Sequence, residues 1–551
     1  MRRRTIIPPN LKDAIVHPLG FAVFPVLSLY VRNMGKGFLG EAVAITAGAL
    51  VVAVLLWLCT GLLVKDKRRS AIVVSAFLLL FFSYGHIVPP VSGWLEGIPW
   101  LDKAGLFATG TGADSIWIVV WGILFATASY LVVRSPSDLR QATRFLNIVA
   151  LALVATVGIG LVARGANMFV IPRIRPPASE HDEAGEMDRA RANDFINSWL
   201  QEESSGGANT STGASPDIYY VILDTYARAD ILDRVYEFDN SEFLSFLTER
   251  GFYVADESRS NYPHTTHSLA SSLNLTYLDD VAAQVGVQST NFWPLIVMIR
   301  NNTVMDQLHD LGYTTMAFST GYGFTEMKDA DIYVQLPGKP PSDFQITLTN
   351  LTPLAQVAAL GKQRQDDFRR EQILYTIDHL SDAAEIEPPK FVFAHIPAPH
   401  PPYVFGANGE PVPSRPEEAY ALDEYVEAYT NQLTFLNTRL EAEIDEILSQ
   451  SPEPPIIVLQ ADHGPVSAKY TNNPASYFPE RMSIFNAYYF PDQDYDTLYK
   501  DITPVNTFRA IFNAYFGADY EMLEDKSYTA DYWNSPYLFE DVTDKVLSDE
   551  Y

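Results

Sequence analysis

Cysteine is all but missing from this chain. One thiol, Cys59, stands in 551 residues, inside an apolar run. No internal disulfide can form, and the fold must be held by its cores. Basic residues are scarce after residue 175. The first 175 residues hold 17 Lys and Arg against 7 Asp and Glu, a net of +10, whereas the remainder hold 22 against 60, a net of −38. An acidic body of that kind repels a polyanion, which excludes nucleic acid as a partner. Internal repeats are absent. No small-residue cleavage site follows the first apolar run, so that run is not expected to be a cleaved signal peptide.

What the N-terminal part does have is long apolar runs: Ala14–Val31, Glu41–Val64, Ala71–Val91, Ser115–Val133 and Phe145–Val162. Most are long enough to cross a hydrocarbon core of roughly 30 Å as helices. The first is short and broken by Pro18 and Pro25. A single run of this kind reads as a buried core helix, but five in series read as a membrane region over residues 1–175. Arg2, Arg3, Arg4 and Lys12 precede the first run. Lys65, Lys67, Arg68 and Arg69 lie between the second and third, and Arg134, Arg140 and Arg144 between the fourth and fifth. The alternate loops are poorer, and Lys/Arg-rich loops stay in the cytoplasm. The expectation is a cytoplasmic N-terminus, five spans, and a C-terminal body outside the plasma membrane, extracellular or periplasmic. Arg164, Arg173 and Arg175, just after the fifth run, count against that orientation. Residues 176–216, with "SSGGANTSTGASP", form a linker, and "NDFINSWLQEE" within it is a candidate interfacial helix.

From Asp217 onward the pattern changes. "DIYYVILD", "YTTMAFST", "KFVFAHI" and "PIIVLQAD" are β-rich apolar runs. They alternate with helical patterns, the longest being "YVEAYTNQLTFLNTRLEAEIDEILSQ". Such alternation predicts an α/β domain over 217–551 with a largely parallel central sheet.

Three of these runs end in metal-ligand chemistry. The first runs into Asp224, the third into His395 and then His400, and the fourth into Asp462 and His463. Ligands of open α/β sheets bind beyond the carboxyl ends of strands, so ends separated by over two hundred residues can meet. Aspartate oxygens and imidazole nitrogens suit one divalent cation, Zn²⁺ or Mn²⁺ first, with Mg²⁺ and Ca²⁺ as alternatives. The competing reading is a set of turn caps. With a cation present, "NYPHTTHS" gains a meaning, since a hydroxyl on a cation deprotonates more readily. The hydroxyl is supplied by a turn that opens a helix, whose N-terminus favours an anionic group.

The order of an Asp after the first strand, a hydroxyl-bearing turn about forty residues on, a distal histidine motif and a late "ADHGP" resembles the alkaline phosphatase/sulfatase superfamily. With membrane runs ahead of it, the layout is most similar to the lipoteichoic acid synthase branch, which includes phosphoglycerol and phosphoethanolamine transferases. That resemblance implies an alkaline phosphatase-like fold and puts Asp224, Asp462 and His463 at metal-ligand positions. It puts Thr265 of "YPHT" at the position of the nucleophile, which also contacts the metal, with Thr266 in reserve. His400 of "HPPY" falls where a histidine contacts the substrate phosphate. His395 has no clear counterpart in the branch and either binds substrate or is structural. His264 and His267 read as polar loop residues. The sequence also departs from the family. Type I sulfatases make formylglycine from Cys or Ser in a Cys/Ser–x–Pro–x–Arg motif, and "TTHSL" has neither the Pro nor the Arg. Those enzymes also open with paired aspartates, whereas Thr225 follows Asp224.

The resemblance therefore implies a membrane-anchored phosphotransferase with a membrane lipid as donor and an envelope glycan or lipid as acceptor. A hydrolase of phosphodiesters or sulfate esters is the alternative, and a non-catalytic envelope protein the third.

Overall fold

The computed structural model describes residues 14–32, 39–96, 111–168, 215–337, 343–357, 359–467 and 476–547. Most of the linker, including "NDFINSWLQEE", lies outside the described residues, as do Arg2, Arg3, Arg4, Lys12, Arg173 and Arg175. The chain divides into two compact units. One holds Met1–Val170 with Pro340–Gln365, the other Ile171–Lys339 with Asp366–Tyr551.

The first unit is helical, with α1 (His17–Arg32), α2 (Leu39–Val64), α3 (Lys67–Glu96), α4 (Thr111–Arg134) and α5 (Arg140–Met168). Among the described residues, α2, α3, α4 and α5 contain stretches long and apolar enough to cross a membrane. The helix of the first apolar run, α1, has 16 residues, about 24 Å at 1.5 Å per residue, which is shorter than a hydrocarbon core. It packs on α5 through Gly20, where a Cβ would stand 2.8 Å from the Ala150 Cβ. Asn147 of α5 accepts from the backbone N–H groups of Val16 and His17 at 3.0 Å each and so caps the free donors at the start of α1. The segment Pro340–Gln365, which the sequence assigns to the external domain, groups with this helical unit. Its helix Asp343–Asn350 buries Phe344 among Val26, Leu29, Tyr30 and Ala42.

The second unit is built on a seven-stranded sheet. Its strands are β1 (Ile218–Leu223), β2 (Tyr253–Val254), β3 (Thr314–Phe318), β4 (Ile332–Val334), β5 (Lys390–Ile396), β6 (Ile456–Gln460) and β7 (Asn486–Tyr489), in the order β2-β7-β6-β1-β5-β3-β4. Neighbours from β6 to β4 are parallel, and β7 and β2 add an antiparallel edge. The four β-rich runs of the sequence are β1, β3, β5 and β6, and the long helical pattern is a helix over Leu422–Gln450.

Every residue of β1 is buried, because helices cover both faces of the sheet. Side chains alternate across a strand, so Ile218, Tyr220 and Ile222 enter one core while Tyr219, Val221 and Leu223 enter the other. The β1–β5 register is pinned at its start. Lys390 Nζ lies 2.6 Å from Asp217 Oδ2, and the Lys390 N–H donates to Asp217 Oδ1 at 3.0 Å, with both side chains buried. Losing one partner would strand a buried charge, so a slipped register is penalised. With β6, β1 and β5 adjacent and parallel, their carboxyl ends lie side by side, roughly 4.8 Å from strand to strand.

Candidate metal centre

Asp224 follows β1, Asp462 and His463 follow β6, and His395 is the sixth residue of β5, paired with Ile222. The Asp224 N–H donates to the Ile396 carbonyl at 3.1 Å, which carries the parallel ladder one step past β1. One oxygen or nitrogen each from Asp224, Asp462 and His463 lies within 4.8 Å of the other two, and all three residues are buried.

Each of these side chains is held by one atom and aims the other at a common point. Asp462 Oδ1 accepts from the Thr225 N–H at 3.2 Å and the His463 N–H at 2.9 Å. Asp224 Oδ2 lies 3.3 Å from His395 Nε2. The opposite oxygens, Asp462 Oδ2 and Asp224 Oδ1, are buried with no hydrogen-bond partner among the described residues. His463 Nε2 stands 3.5 Å from the first and 3.9 Å from the second. Unpartnered buried carboxylate oxygens are costly, and an oxygen–nitrogen donor set at this spacing suits a divalent cation.

The tautomer of His463 can be deduced. Arg481 Nη2 is 3.2 Å from His463 Nε2, and a guanidinium has only donors, so Nε2 is the bare, accepting nitrogen. The proton then sits on Nδ1 and is donated to the Gly464 carbonyl at 3.1 Å. This is the arrangement found in metal-ligating histidines, where a backbone carbonyl fixes the ring. Burial, and after it the Arg481 charge, hold the His463 pKa well below the ordinary histidine value, so the ring is neutral at pH 7.

The carboxylates split in the opposite sense. Burial and the neighbouring Asp224 charge push Asp462 up to about 7. Burial alone would also raise Asp224, but His400, His395 and His463 around it outweigh burial and hold it below the usual carboxylate range. Two like charges this close cannot both ionise freely without a counter-cation.

The backbone accommodates this convergence at visible cost. Thr225 has φ +66°, a left-handed conformation unfavourable for a β-branched residue. Its carbonyl accepts from the Tyr429 hydroxyl at 2.9 Å and its N–H faces Asp462, which together hold it there. Gly464 is needed for room: a Cβ there would stand 2.2 Å from the Glu480 carbonyl oxygen.

The two threonines of the turn part company. Thr265 opens the helix Thr265–Ser272, and its Oγ1 is 3.2 Å from His463 Nε2, beside the same three ligand-type atoms. Thr266 is 1% exposed and its Oγ1 meets the Tyr532 hydroxyl at 3.3 Å. His264 packs against Tyr532 with the rings tilted at 42° and centroids 4.4 Å apart. His267 is buried on the Pro536 carbonyl at 2.8 Å, its pKa pushed down to about 4 by burial.

His400 lies at the rim. Its N–H donates to the Asp224 carbonyl at 3.1 Å, its ring centroid is 6.5 Å from that of His463, and its Nδ1 contacts the Pro401 carbonyl. Burial and the neighbouring Arg369 lower its pKa against the pull of Asp224. His395 is fully buried, with Nε2 on Asp224 and Nδ1 3.1 Å from the Thr325 hydroxyl. Asp230, six residues after Asp224, is taken up by Arg228 and Arg234.

Sequence reasoning missed two arginines. Arg481 bonds the carbonyls of Pro263 and Gly464. Arg369 Nη2 donates to the Pro397 carbonyl at 2.7 Å and the His400 carbonyl at 3.2 Å, which fixes the loop after β5. The one available signal was the scarcity of basic residues in so acidic a stretch.

Fold and site together describe a class: an α/β domain with a mainly parallel sheet, two aspartates and a histidine gathered at its strand ends, in a chain that also carries membrane-length helices. No protein-family model matches the sequence, and no curated protein matches it. Solved structures do resemble it. The C-terminal periplasmic domain of EcEptC from Escherichia coli matches at 11% identity, covering 60% of this chain and 94% of that one, with a TM-score of 0.42. The C-terminal periplasmic domain of phosphoethanolamine transferase EptC from Campylobacter jejuni matches at 13% identity, covering 58% and 95%, with a TM-score of 0.37. The integral membrane protein lipooligosaccharide phosphoethanolamine transferase A (EptA) from Neisseria meningitidis matches at 10% identity, covering 87% and 89%, with a TM-score of 0.36.

Proposed function

We propose that this chain is a membrane-anchored, metal-dependent phosphotransferase that moves a phosphoglycerol- or phosphoethanolamine-type group from a lipid to an envelope glycan or lipid through Thr265. The observation that carries the reading is the meeting of Asp224 Oδ1, Asp462 Oδ2 and His463 Nε2, with the Thr265 hydroxyl 3.2 Å from that nitrogen. A divalent cation held by these three and by Thr265 would make the threonine hydroxyl more acidic and draw negative charge from a bound phosphoryl group.

The remaining work belongs to the chain. In the first half, Thr265 Oγ1 bonds to phosphorus and its proton leaves to solvent. The bond from phosphorus to the diacylglycerol oxygen breaks, and that oxygen takes up a proton. In the second half the oxygen of an acceptor hydroxyl bonds to phosphorus and gives up its proton to solvent, while the bond from phosphorus to Thr265 Oγ1 breaks and Thr265 takes up a proton. His400 binds the phosphoryl oxygens from the rim. His395 acts as a positioning residue, turning the free oxygen of Asp224 toward the centre. If water resolves the adduct, the same residues run a hydrolase.

The direct test is to incubate the purified full chain with phosphatidylglycerol or phosphatidylethanolamine and no acceptor, then look by mass spectrometry for a head-group adduct on the "PHTTHS" peptide. An adduct on Thr265 supports the reading, and lipid turnover with no adduct on that peptide overturns it. Release of the head group to water in the presence of candidate acceptors would assign the hydrolase. His400→Ala should weaken substrate use about tenfold, as for loss of one hydrogen bond to a charged group. Its metal content should match the parent, and metal loss in that variant would contradict the role given to it.

The same reading requires the catalytic body to face the lipids of the outer leaflet. With α1 counted as a span beside α2, α3, α4 and α5, the Lys/Arg bias of the loops favours a cytoplasmic N-terminus and an external C-terminus, which supports this reading. A reporter that works only outside the cytoplasm, fused after Tyr551, should be active. Activity there from a cytoplasm-only reporter would refute the orientation.

A further inference from the structure

We propose that Arg481, beside His400, grips the anionic group of the substrate, and that it does so with the N–H groups of Nη2. This rests on the metal and phosphoryl reading above and extends it to a residue outside the sequence motifs.

Arg481 spans the two turns that build the site. Its Nε donates to the Pro263 carbonyl at 2.7 Å, two residues before Thr265, and its Nη1 donates to the Gly464 carbonyl at 2.7 Å, one residue after His463. These two bonds fix the plane of the guanidinium. The helix that carries it, Tyr477–Met482, is set close behind, since Gly464 has no room for a Cβ against the Glu480 and Arg481 carbonyls. The third group, Nη2, is 3.2 Å from His463 Nε2.

That contact and a metal ligand compete for one lone pair. Imidazole Nε2 has a single lone pair, and it is the atom of His463 that faces both free carboxylate oxygens. A nitrogen that ligates a cation has nothing left to accept with. Nη2 must then place its hydrogens on another acceptor, with its plane still held by Pro263 and Gly464. The acceptor it can reach lies next to the nucleophile, because Thr265 Oγ1 is also 3.2 Å from His463 Nε2. An oxygen of a phosphoryl group under attack by Thr265 is such an acceptor. Charge points the same way: a guanidinium in contact with a metal ligand repels the cation, and an anion between them relieves that repulsion. The competing role is a structural staple, which needs only Nε and Nη1.

The test uses the full chain in detergent, with Zn²⁺ or Mn²⁺ and then inorganic phosphate titrated calorimetrically. Arg481→Met should bind the metal as tightly as the parent or more tightly, since a nearby positive charge is removed. Its affinity for inorganic phosphate in the metal-loaded state should fall about tenfold or more, the range for a charge-assisted hydrogen bond. Arg481→Lys keeps the charge but loses the planar fork. It should lie between the two, and it decides the matter if Arg481→Met does not fold. Phosphate affinity within about twofold of the parent in the folded variant, or loss of metal and phosphate together, makes Arg481 a staple and overturns the proposal. A parent chain that binds cation and phosphate while the variant matches it sinks this proposal alone. A parent chain that takes up no divalent cation sinks the underlying reading with it.

Discussion

Replacing Thr265 with alanine is expected to abolish head-group release from phosphatidylglycerol or phosphatidylethanolamine vesicles, by about ten-thousandfold or more, the scale on which enzymes lose turnover when a nucleophile is deleted. The fold should survive. Thr265 sits at the first position of its helix with its hydroxyl on His463, so the stability loss should be about 1 kcal/mol. Thr266 is the matched control. Its hydroxyl meets Tyr532 rather than His463, and its side chain is buried. Thr266→Ala should therefore cost about 1–2 kcal/mol of stability through lost packing and one hydrogen bond, while most turnover remains. Head-group release and thermal unfolding, measured together on both variants, separate the roles. If Thr266→Ala is dead and Thr265→Ala active, the assignment is off by one residue. If both turn over normally, "NYPHTTHS" is a structural cap and no covalent step runs through it.

The strands that bear the site were legible in the sequence because they are buried on both faces. β1, β5 and β6 read as continuous apolar runs, and a run that ends in Asp or Asp-His is conspicuous for that reason. Asp224, Asp462 and His463 could be named before any geometry was known. The edge strands could not: β2 has two residues and β4 three, too short for any period to show. The helix at Asp343–Asn350 has an ordinary polar-apolar mix, and nothing local reveals that Phe344 packs on Val26 and Tyr30.

Within the site, the histidine roles depend on strand position rather than residue type. His395 lies inside β5, directly across from Ile222, where its ring reaches Asp224 but is fully buried. His400, five residues on, has left the sheet and reaches the rim. A motif alone cannot separate them. Arg481 was invisible for another reason: its partner Pro263 is 218 residues away, and the two meet where the chain after β2 runs antiparallel beside the chain before β7, with a bridge between Arg259 and Ser483. The left-handed Thr225 was equally hidden, since a threonine there runs against backbone preference and is tolerated only where Asp462 and Tyr429 hold both its peptide groups.

Asp462→Asn should remove the metal and leave a sturdier empty fold. The substitution keeps Oδ1, which accepts from the N–H groups of Thr225 and His463, so the turn is preserved. It replaces Oδ2, the unpartnered oxygen, with an amide that donates in the direction of Asp224 Oδ1. A neutral amide is a poor ligand, and metal affinity should fall by more than the roughly 10–100-fold that loss of an outer partner costs. Turnover should disappear with it. Without metal the sign reverses. The pKa of Asp462 is pushed up to about 7 by burial and by the Asp224 charge. A carboxyl raised in the fold contributes stability below its unfolded pKa, near 4, and that contribution is lost as pH rises to about 7. At pH 8 in chelator the parent chain carries the full cost of two buried like charges, on the order of a few kcal/mol, and Asp462→Asn does not. The variant should therefore unfold at a higher temperature than the chelated parent at pH 8, with the gap closing toward pH 5, while the metal-loaded parent exceeds both by mass action. Elemental analysis of the purified chains and unfolding curves across that pH range read both halves. A variant that keeps one metal per chain and normal turnover would remove Asp462 from the ligand set. A chelated parent as stable at pH 8 as the variant would mean that the two carboxylates do not burden one another as their burial and spacing require.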